Sequence, residues 1–441
     1  MVRRFGTDGI RGPVGSDITA ELALALGRAV GHRFGGADRH VLLARDTRRS
    51  GEMLTAALTA GLTATGTDVI DLGIVTTPCL VHASIGSASA AVMVSASHNP
   101  AADNGLKVVV DGRKVPDAVE DELDRLIDEP SSIASLPNDR LGRVRGDGSA
   151  AEAYRRHLGE AAGDAFRGLR LAVDCANGSA AVIAPELFRS LGAEVTVLFD
   201  APDGTNINDG CGSTHPERLA ETVAAAALDV GLALDGDADR LIAVDEHGEL
   251  VDGDTIMGIC ALQRLADGTL RNNLLVTTVL SNGGLERAVT QAGGRMVRTP
   301  VGDRHVFEAM ELEDAVLGGE QSGHIIFRDR ATTGDGLLTG IELVRCMRTA
   351  GEPLSALGAR VPKLPQVMLN SAVRHRDGWQ ADPTFAAAVT RATERMGERG
   401  RILVRPSGTE SKIRIMVEGD DAIEIERIAR ELATLAEARL N

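Results

Sequence analysis

Aromatic residues are scarce in this sequence: they make up 2% of 441 residues, with one Trp and one Tyr. A sugar or nucleotide site built on stacked rings is therefore not expected, and polar groups have to hold any such ligand. Long apolar runs are also absent, and the N-terminus, MVRRFGTDGIRG, lacks the apolar stretch of a signal peptide. These absences argue against secretion and against a membrane-spanning protein.

Cysteines are few and form no CxxC pattern; the five are Cys79, Cys175, Cys211, Cys260 and Cys346. An odd number without metal-ligand spacing favours reduced thiols, and hence a cytoplasmic protein, over disulfides or a zinc site. The net charge of −16 argues against nucleic acids and anionic membranes as partners. An anionic small substrate would need a local cluster of Arg and Lys.

The chain is too long for one ordinary core, and it repeats a pattern three times. The three units begin at HVLLARDTRRSG, LRLAVDCANGSA and NNLLVTTVLSNGG, and each reads as strand, helix, strand, helix, strand. This alternation predicts three similar mixed, mainly parallel α/β/α domains. A fourth region has a different order, which predicts a smaller C-terminal α+β domain. The predicted domains are 1–148, 149–250, 251–365 and 366–441.

Several stretches outside these units have simple interpretations. Residues 3–12 are rich in Gly and predict an irregular loop, with a helix over Thr19–Phe34 that Thr19 caps. Asp117–Asp128 predicts an amphipathic helix whose acidic residues face solvent, and Ser131–Ser149 predicts a linker. Thr214 and Glu217 have the spacing of a capping box, so His215 is expected only to open a helix.

A serine lies on the loop that follows the first unit. The apolar run Ala91–Val94 predicts a buried strand, and Pro100 stops its continuation after Ser97, His98 and Asn99. Open α/β sheets place their chemistry at such strand ends, so Ser97 could be a nucleophile or a phosphate carrier, with Lys107 just beyond. Ser95 is the alternative carrier, and an ordinary polar turn is the plainer interpretation of the loop taken alone.

The second unit ends in three alternating carboxylates, Asp235, Asp237 and Asp239. Converging carboxylate oxygens suit a hard divalent cation, and only three acids leave positions that a phosphate oxygen on Mg²⁺ could fill. An EF-hand is rejected, because Arg240 stands where that loop needs Gly and the flanks predict strands. A solvated acidic turn is the remaining alternative.

Three further polar loops are weaker signals. In GGEQSGH, Glu320 and Ser322 suit sugar hydroxyls and His324 can move protons, although a polar turn is as good an interpretation. In RPSGTE, Arg405, Ser407 and free amides around Gly408 suit a phosphate, with Arg414 nearby; a plain hairpin loop is the alternative. Near the N-terminus Arg11 could grip an oxyanion, unless this stretch is a flexible terminus. Together the loops describe phosphoryl transfer on a phosphorylated polyol.

From FGTDGIRG to RPSGTE the sequence resembles the α-D-phosphohexomutase family. The resemblance implies four domains around a central cleft, a phosphoserine at Ser97, and one Mg²⁺ per chain held by the Ser97 phosphate with Asp235, Asp237 and Asp239. It assigns proton transfer to Lys107 and His324 and places Arg11 and Arg240 in the cleft, Arg11 among the catalytic groups and Arg240 among the substrate-binding groups. The remaining implied substrate-binding residues are Glu320, Ser322, Arg405, Ser407, Gly408 and Thr409. A homodimer is implied by the family alone.

Within that family, four stretches favour the members that isomerise glucosamine 6-phosphate to glucosamine 1-phosphate through a 1,6-bisphosphate, a step toward UDP-N-acetylglucosamine and cell-wall precursors. The stretches are GGEQSGHIIF, LDGDADR, NINDGCGSTHPE and ATTGDGLLT. Phosphomannomutase/phosphoglucomutase relatives, the nearer alternative, typically have Met at position 321 and Gly at position 238. A non-catalytic phosphosugar-binding protein is the distant alternative. Ser411 and Lys412 depart from the family pattern beside the phosphate loop.

Overall fold

A computed structural model describes residues 4–6, 8–36, 39–86, 90–134, 136–374, 378–406 and 412–440. Its strands form four separate sheets, and we call the regions around them domains 1 to 4 in chain order. This architecture is the predicted one, three α/β/α domains followed by a smaller C-terminal domain. Within the described part of the chain, none of the helices has the length and apolarity needed to span a membrane.

Domain 1 has a mixed sheet in the order β1-β5-β4-β2-β3-β7, with β6 paired to β5. Strands β2, β3, β4 and β7 are parallel, whereas β5 runs antiparallel to both β4 and β1. In chain order its elements are β1 (Ile10–Pro13), α1 (Ala20–Phe34), β2 (His40–Arg45), α2 (Ser50–Ala64), β3 (Asp68–Ile74), α3 (Thr77–Ser84), β4 (Ala90–Val94), β5 (Asp103–Val110), β6 (Arg113–Lys114), α4 (Asp117–Asp128) and β7 (Val144–Gly146).

Domain 2 has five strands in the order β12-β11-β10-β8-β9. Its elements are α5 (Ser149–Ala162), β8 (Arg170–Asp174), α6 (Ala184–Ser190), β9 (Glu194–Leu198), α7 (Glu217–Ala226), β10 (Val230–Leu234), β11 (Leu241–Val244) and β12 (Leu250–Val251).

Domain 3 has four strands in the order β14-β13-β15-β16. Its elements are α8 (Gly253–Ala266), β13 (Leu274–Thr278), α9 (Gly283–Gln291), β14 (Arg295–Thr299), α10 (Asp303–Leu312), β15 (Leu317–Gly319), β16 (Ile325–Phe327), α11 (Gly336–Ala350) and α12 (Leu354–Gly358).

Domain 4 is an antiparallel three-stranded sheet in the order β17-β19-β18, covered by two helices. Its elements are β17 (Gln366–Ala372), α13 (Pro383–Met396), β18 (Gly400–Pro406), β19 (Lys412–Gly419) and α14 (Ala422–Arg439).

The first three sheets repeat one arrangement. In each, the first strand of the predicted unit lies between the second and the third, and a fourth strand pairs antiparallel with the third. The serine loop therefore joins β4 to β5, the three-carboxylate loop joins β10 to β11, and the loop with His324 joins β15 to β16. The repeat places three of the predicted polar loops at equivalent positions of three sheets.

Burial on both faces of the sheet explains why a central strand such as β4 is apolar throughout. All five residues of β4 are buried, because Val92 and Val94 pack on one face of the sheet and Ala91 and Met93 on the other. One apolar cluster extends from Leu42 in domain 1 through domain 2 into domain 3, whereas domain 4 has a cluster of its own. The first three domains thus share a core that domain 4 does not join.

Several sequence-based expectations about local structure are wrong. Ile10–Pro13 is a strand, and the predicted linker contributes β7, because both segments complete edges of the first sheet. No capping box forms at Thr214: α7 begins at Glu217 after Pro216, without a side-chain cap. The acidic face of α4 is not all solvated, since Glu120 and Asp124 are buried against Arg304 and Arg4. Thr19 caps α1 as predicted.

Candidate active site

Ser97 lies on the loop after β4, where domains 1 and 2 meet. It is fully buried and has φ of 53°, a left-handed conformation that costs a non-glycine residue energy. Its hydroxyl donates a hydrogen bond of 2.5 Å to Asp235 Oδ2 and lies 3.4 Å from His98 Nδ1. The hydroxyl therefore points at the three-carboxylate loop of the neighbouring domain.

A buried arginine that sequence reasoning missed holds this loop in shape. Arg48 is completely buried, and its Nε is 2.9 Å from Asp46 Oδ2. The rest of its guanidinium donates to four loop carbonyls, those of Ser97 (3.0 Å), Asn99 (2.7 Å), Asp103 (3.0 Å) and Pro100. The available signal was DTRRS after the first strand, but a sequence does not show which carbonyls an arginine will meet.

Asp46, Ser95 and Asn208 complete the support of the serine loop. Ser95 Oγ donates to Asp46 Oδ2 at 2.6 Å and accepts the Ser97 backbone N–H at 3.0 Å. Asn208, from domain 2, donates to the carbonyls of Ser97 and Asn99. Burial raises the pKa of Asp46, although the positive charge of Arg48 works in the opposite direction. These contacts give Ser95 a supporting role and leave the Ser97 hydroxyl facing the carboxylates.

Asp235, Asp237 and Asp239 form a compact buried cluster between β10 and β11. One oxygen from each carboxylate lies within 4.8 Å of the others. The turn that presents them passes through Ala238, whose φ is 59°. Asp237 Oδ1 and Asp239 Oδ1 are buried and have no hydrogen-bond partner among the residues that the structure describes. Buried oxygens of this kind are satisfied when a hard cation accepts them as ligands.

The charges of the cluster also call for a cation. Burial and the neighbouring carboxylates of Asp239 and Asp237 raise the pKa of Asp235 well above its usual range. Burial opposes ionisation of the other two as well, but Lys107 lowers the pKa of Asp237, and Lys107 with His324 lowers that of Asp239. Three ionised carboxylates at this spacing need more positive charge, so the residues present fit a bound divalent ion.

Lys107 and His324, the predicted proton-transfer groups, both reach this cluster. Lys107 Nζ lies 2.7 Å from Asp237 Oδ2. His324 Nδ1 lies 3.7 Å from Asp239 Oδ2, and His324 Nε2 accepts the Gly334 backbone N–H at 3.1 Å. Burial opposes a charged imidazole, yet the carboxylates of Asp239 and Asp303 raise the pKa of His324 overall. Domains 1 and 3 thus each contribute a titratable group.

Arg11 and Arg240 flank the same cluster. Arg11 pairs with Asp8, and Arg240 Nε lies 3.9 Å from Asp239 Oδ1. The Nε atoms of both arginines are buried and find no hydrogen-bond partner within the described part of the chain. Burial lowers the pKa of Arg11, although the three carboxylates oppose that shift. Unsatisfied guanidinium donors beside a cation site suit an anionic ligand such as a phosphate.

The predicted sugar and phosphate groups lie in domains 3 and 4. Glu320 is half-buried and its Oε1 accepts the Gly302 backbone N–H at 3.0 Å, whereas Ser322 is exposed. Arg405 lies on β18 opposite Arg414, and burial followed by the charge of Arg414 lowers its pKa. Ser407, Gly408 and Thr409 lie outside the described residues. The structure thus unites the groups predicted in domains 1 and 2 with His324.

Comparison with known proteins covers the whole chain. Models of phosphoglucomutase/phosphomannomutase match as alpha/beta/alpha domain I at residues 2–134, domain II at 152–248, domain III at 252–364 and the C-terminal domain at 368–435. A phosphoglucosamine mutase of Symbiobacterium thermophilum is 50% identical over 448 residues, with all of both chains covered. That of Moorella thermoacetica is 50% identical over 441 residues, with 99% of each covered.

Solved structures have the same architecture. A phosphoglucomutase/phosphomannomutase family protein from Burkholderia thailandensis superposes with a TM-score of 0.83 at 27% identity, covering 99% of this chain and 98% of that one. Aspergillus fumigatus N-acetylphosphoglucosamine mutase, in complex with GlcNAc-6P and magnesium, has a TM-score of 0.72 at 19% identity and covers 100% and 96% of the two chains. The similarity to the Burkholderia structure agrees with the family models, whereas the similarity to the Aspergillus enzyme concerns the fold alone. This chain belongs to the phosphoglucomutase/phosphomannomutase family.

Proposed function

We propose that this chain interconverts glucosamine 6-phosphate and glucosamine 1-phosphate, with Ser97 as the carrier of the transferred phosphoryl group. The observation that carries the proposal is the Ser97 hydroxyl 2.5 Å from Asp235, at the edge of a buried three-carboxylate cluster. The choice of an amino sugar is supported by relatives that are 50% identical over their full length and bear the name phosphoglucosamine mutase.

The reaction has two reciprocal phosphoryl transfers. In the first, the bond between phosphorus and Ser97 Oγ breaks as a free hydroxyl of the sugar phosphate forms its own bond to phosphorus, giving a 1,6-bisphosphate. The bisphosphate turns round, and its other phosphoryl group moves to Ser97 Oγ, leaving glucosamine 1-phosphate. Each sugar hydroxyl that attacks must lose its proton, and each oxygen that leaves must gain one. Lys107 and His324 are the groups that hold and move these protons.

Phosphoryl transfer needs positioning and charge neutralisation more than covalent help from the protein. The backbone of the serine loop, fixed by Arg48, orients Ser97, while Arg11 and Arg240 offer unsatisfied donors to the phosphoryl oxygens. The residues that would hold one Mg²⁺ per chain are Asp235, Asp237 and Asp239, together with the Ser97 phosphate. When bound, the ion would neutralise charge on the phosphoryl oxygens.

The remaining predicted residues hold the parts of the sugar that do not react. Glu320 accepts hydrogen bonds from sugar hydroxyls, and the Ser322 hydroxyl donates or accepts them. Arg405, with Ser407, Gly408 and Thr409, binds the phosphate that stays on the sugar. Because the substrate binds in both orientations, this phosphate site must accept either end of the same molecule. We further propose a homodimer and a cytoplasmic location, which light scattering and cell fractionation would check.

The serine proposal is tested with the variant Ser97→Ala, because Ala keeps the backbone and removes only the hydroxyl. We expect mutase turnover of glucosamine 6-phosphate to fall below detection in a coupled assay while the circular dichroism spectrum stays unchanged. Mass spectrometry should find phosphate on the Ser97 peptide of the wild type, and Ser95→Ala should keep that phosphate. Near wild-type rates in S97A would refute the assignment. A higher kcat/KM for mannose 6-phosphate would refute the choice of substrate.

The metal proposal is tested by removing divalent cations with a chelator. We expect turnover to stop and to return on titration with Mg²⁺, with about one ion bound per chain in calorimetry. Asp237→Asn should weaken that binding roughly 10- to 100-fold or more, because it removes a charged ligand. An exposed acid such as Asp139 provides the matched control Asp139→Asn. Full activity without a divalent cation would contradict the proposal.

A further inference from the structure

Six charged or ionisable side chains from three domains form a closed ring in which carboxylates alternate with basic side chains. No member has a side chain more than 22% exposed. In order around the ring they are Lys107, Asp8, Lys114, Asp303, His324 and Asp239. Three of them already have proposed roles, whereas Asp8, Lys114 and Asp303 have none.

One half of the ring crosses from domain 1 to domain 3 through Lys114. Lys107 Nζ lies 3.2 Å from Asp8 Oδ2. The other oxygen of Asp8 accepts a hydrogen bond from Lys114 Nζ, and the same Nζ donates to Asp303 Oδ2. Lys114 is therefore shared by two carboxylates from different domains.

The other half returns through the candidate active site. His324 Nε2 lies 3.5 Å from Asp303 Oδ2, and its Nδ1 lies 3.7 Å from Asp239 Oδ2. Lys107 Nζ lies 3.6 Å from that same Asp239 oxygen. The imidazole therefore lies between two carboxylates. Lys107 likewise lies between two carboxylates of the ring, those of Asp8 and Asp239.

We propose that Lys114 and Asp303 are positioning residues that fix Lys107 and His324 relative to each other across the interface of domains 1 and 3. This inference rests on the proposed function, because it concerns the two groups assigned to proton transfer. Lys107 and His324 come from separate domains, so the distance between their reactive nitrogens depends on how domains 1 and 3 are held together. Besides Asp239, which contacts both, the Asp8–Lys114–Asp303 segment supplies a second connection between them.

The backbone beside Asp303 extends the link to the sugar site. Asp303 is the first residue of α10, and Gly302 before it has φ of 130°, which favours glycine. The Gly302 N–H donates to Glu320 Oε1 at 3.0 Å. The Gly302–Asp303 segment therefore contacts both His324 and Glu320, the residue predicted to hold sugar hydroxyls. A displaced Asp303 would disturb proton transfer and sugar orientation together.

Loss of either partner changes the forces in the ring. Without Lys114, the carboxylates of Asp8 and Asp303 lose the cation they share, and the segment between Lys107 and His324 opens. Without the charge of Asp303, Lys114 keeps Asp8 as its described ion-pair partner, and His324 keeps Asp239 and the Gly334 N–H. Buried groups in one ion-pair network act together, so the effects of removing both should not add.

Arg113, the residue before Lys114 on the same strand, offers a matched control. Arg113 neighbours Lys114 on β6 and bridges the same two domains through Glu311, with 2.6 Å between Nη1 and Oε1. Its side chain is 56% exposed, and its described ion pair involves no ring member. Arg113→Gln thus removes an ionic contact between domains 1 and 3 while leaving the ring in place.

The test measures kcat and KM for glucosamine 6-phosphate in full-length Lys114→Met, Asp303→Asn, their double variant and Arg113→Gln. We expect each ring variant to lose roughly tenfold or more in kcat with KM changed less than about threefold. The double variant should be no slower than the worse single variant, and R113Q should stay near wild type. Lys114→Arg, which keeps the charge, should retain most of kcat.

Two outcomes would overturn the inference: wild-type kcat in folded K114M or D303N, or an equal loss in R113Q. If K114M does not fold, D303N and K114R decide the same question.

A second readout is the imidazole ¹⁵N resonance of His324, assigned by its absence in His324→Gln. It should move in D303N and K114M and stay fixed in R113Q. A wild type that does not turn over glucosamine 6-phosphate would refute the proposed function, whereas an unmoved resonance would refute this inference.

Discussion

At the scale of single residues, the site depends on buried groups behind the serine loop. Ser97 keeps a left-handed backbone because four loop carbonyls are tied to the buried guanidinium of Arg48, while Asp46 neutralises that charge. A strained conformation persists only where its surroundings over-determine it. Arg48 therefore contributes both to the stability of domain 1 and to the placement of Ser97.

The variant Arg48→Met tests this double role. It removes five hydrogen bonds and leaves Asp46 buried without its cation, so we expect the free energy of unfolding to fall by about 3–5 kcal/mol. We expect kcat to fall roughly 100-fold, because small displacements of a reacting group cost that much. Urea unfolding and the mutase assay measure the two effects. The adjacent exposed Arg49 gives the control Arg49→Met, and equal effects of the two variants would contradict the role of Arg48.

At the scale of elements, the β18–β19 hairpin attaches domain 4 to domain 3. Arg401 on β18 is paired with Glu418 on β19, with 2.9 Å between Nε and Oε1, and it donates to the carbonyls of Val279 and Ser281. Glu418, which is 1% exposed, also accepts the Gly283 N–H at 2.8 Å. Since domain 4 has its own core, this polar contact is well placed to set its orientation.

Arg401→Met should loosen domain 4 selectively. Glu418 would lose its cation, and the strand leading to Arg405 would lose its anchor, so we expect KM for glucosamine 6-phosphate to rise roughly tenfold. Phosphate on Ser97 should not change. The single Trp, Trp379, lies in domain 4, so its fluorescence should report unfolding at lower urea than in the wild type. Arg287→Met breaks the more exposed pair with Asp420 and is the control. An unchanged KM in R401M would refute the anchoring role.

At the scale of the whole molecule, three buried carboxyl groups shape the dependence of stability on pH. Burial raises the pKa of Asp174, Asp254 and Asp335 to about 6, from an ordinary value of 3.8. Between these values the folded chain holds protons that the unfolded chain has released. Each group therefore favours folding below about pH 4, and that contribution is lost as the pH rises through 6, up to about 3 kcal/mol per group.

The variant Asp174→Asn tests this sign, because Asn does not titrate. Urea unfolding in the presence of a chelator should show that wild type loses stability relative to D174N as the pH rises from 4 to 7. The exposed Asp139→Asn should show no such relative change. A relative gain in stability of the wild type over this interval would mean that the Asp174 pKa lies below, and not above, its ordinary value.

Much of this was accessible from the sequence, because the signals are local. Alternating strand and helix patterns predicted the three repeated units, and the spacing of Asp235, Asp237 and Asp239 predicted a cluster that the structure contains. The sequence-based predictions were wrong where contacts with residues distant in the sequence determine the local structure. Nothing in VEDELDRLID shows that Glu120 meets Arg304, and nothing in VRG shows that β7 pairs with β3. The domain boundaries and the roles of individual residues stay predictions.

By itself, the sequence determined which residue types stand at the end of which strand: a serine, three carboxylates, and a glutamate followed by a histidine. Periodicity and the backbone limits of Gly and Pro are properties of neighbours along the chain. Only the tertiary structure decided that Arg48 holds the serine loop and that Lys107, Asp8, Lys114, Asp303, His324 and Asp239 close into one ring. The contacts of Arg48 join distant segments of domain 1 and those of the ring join three domains, so their partners are determined by the way the chain packs.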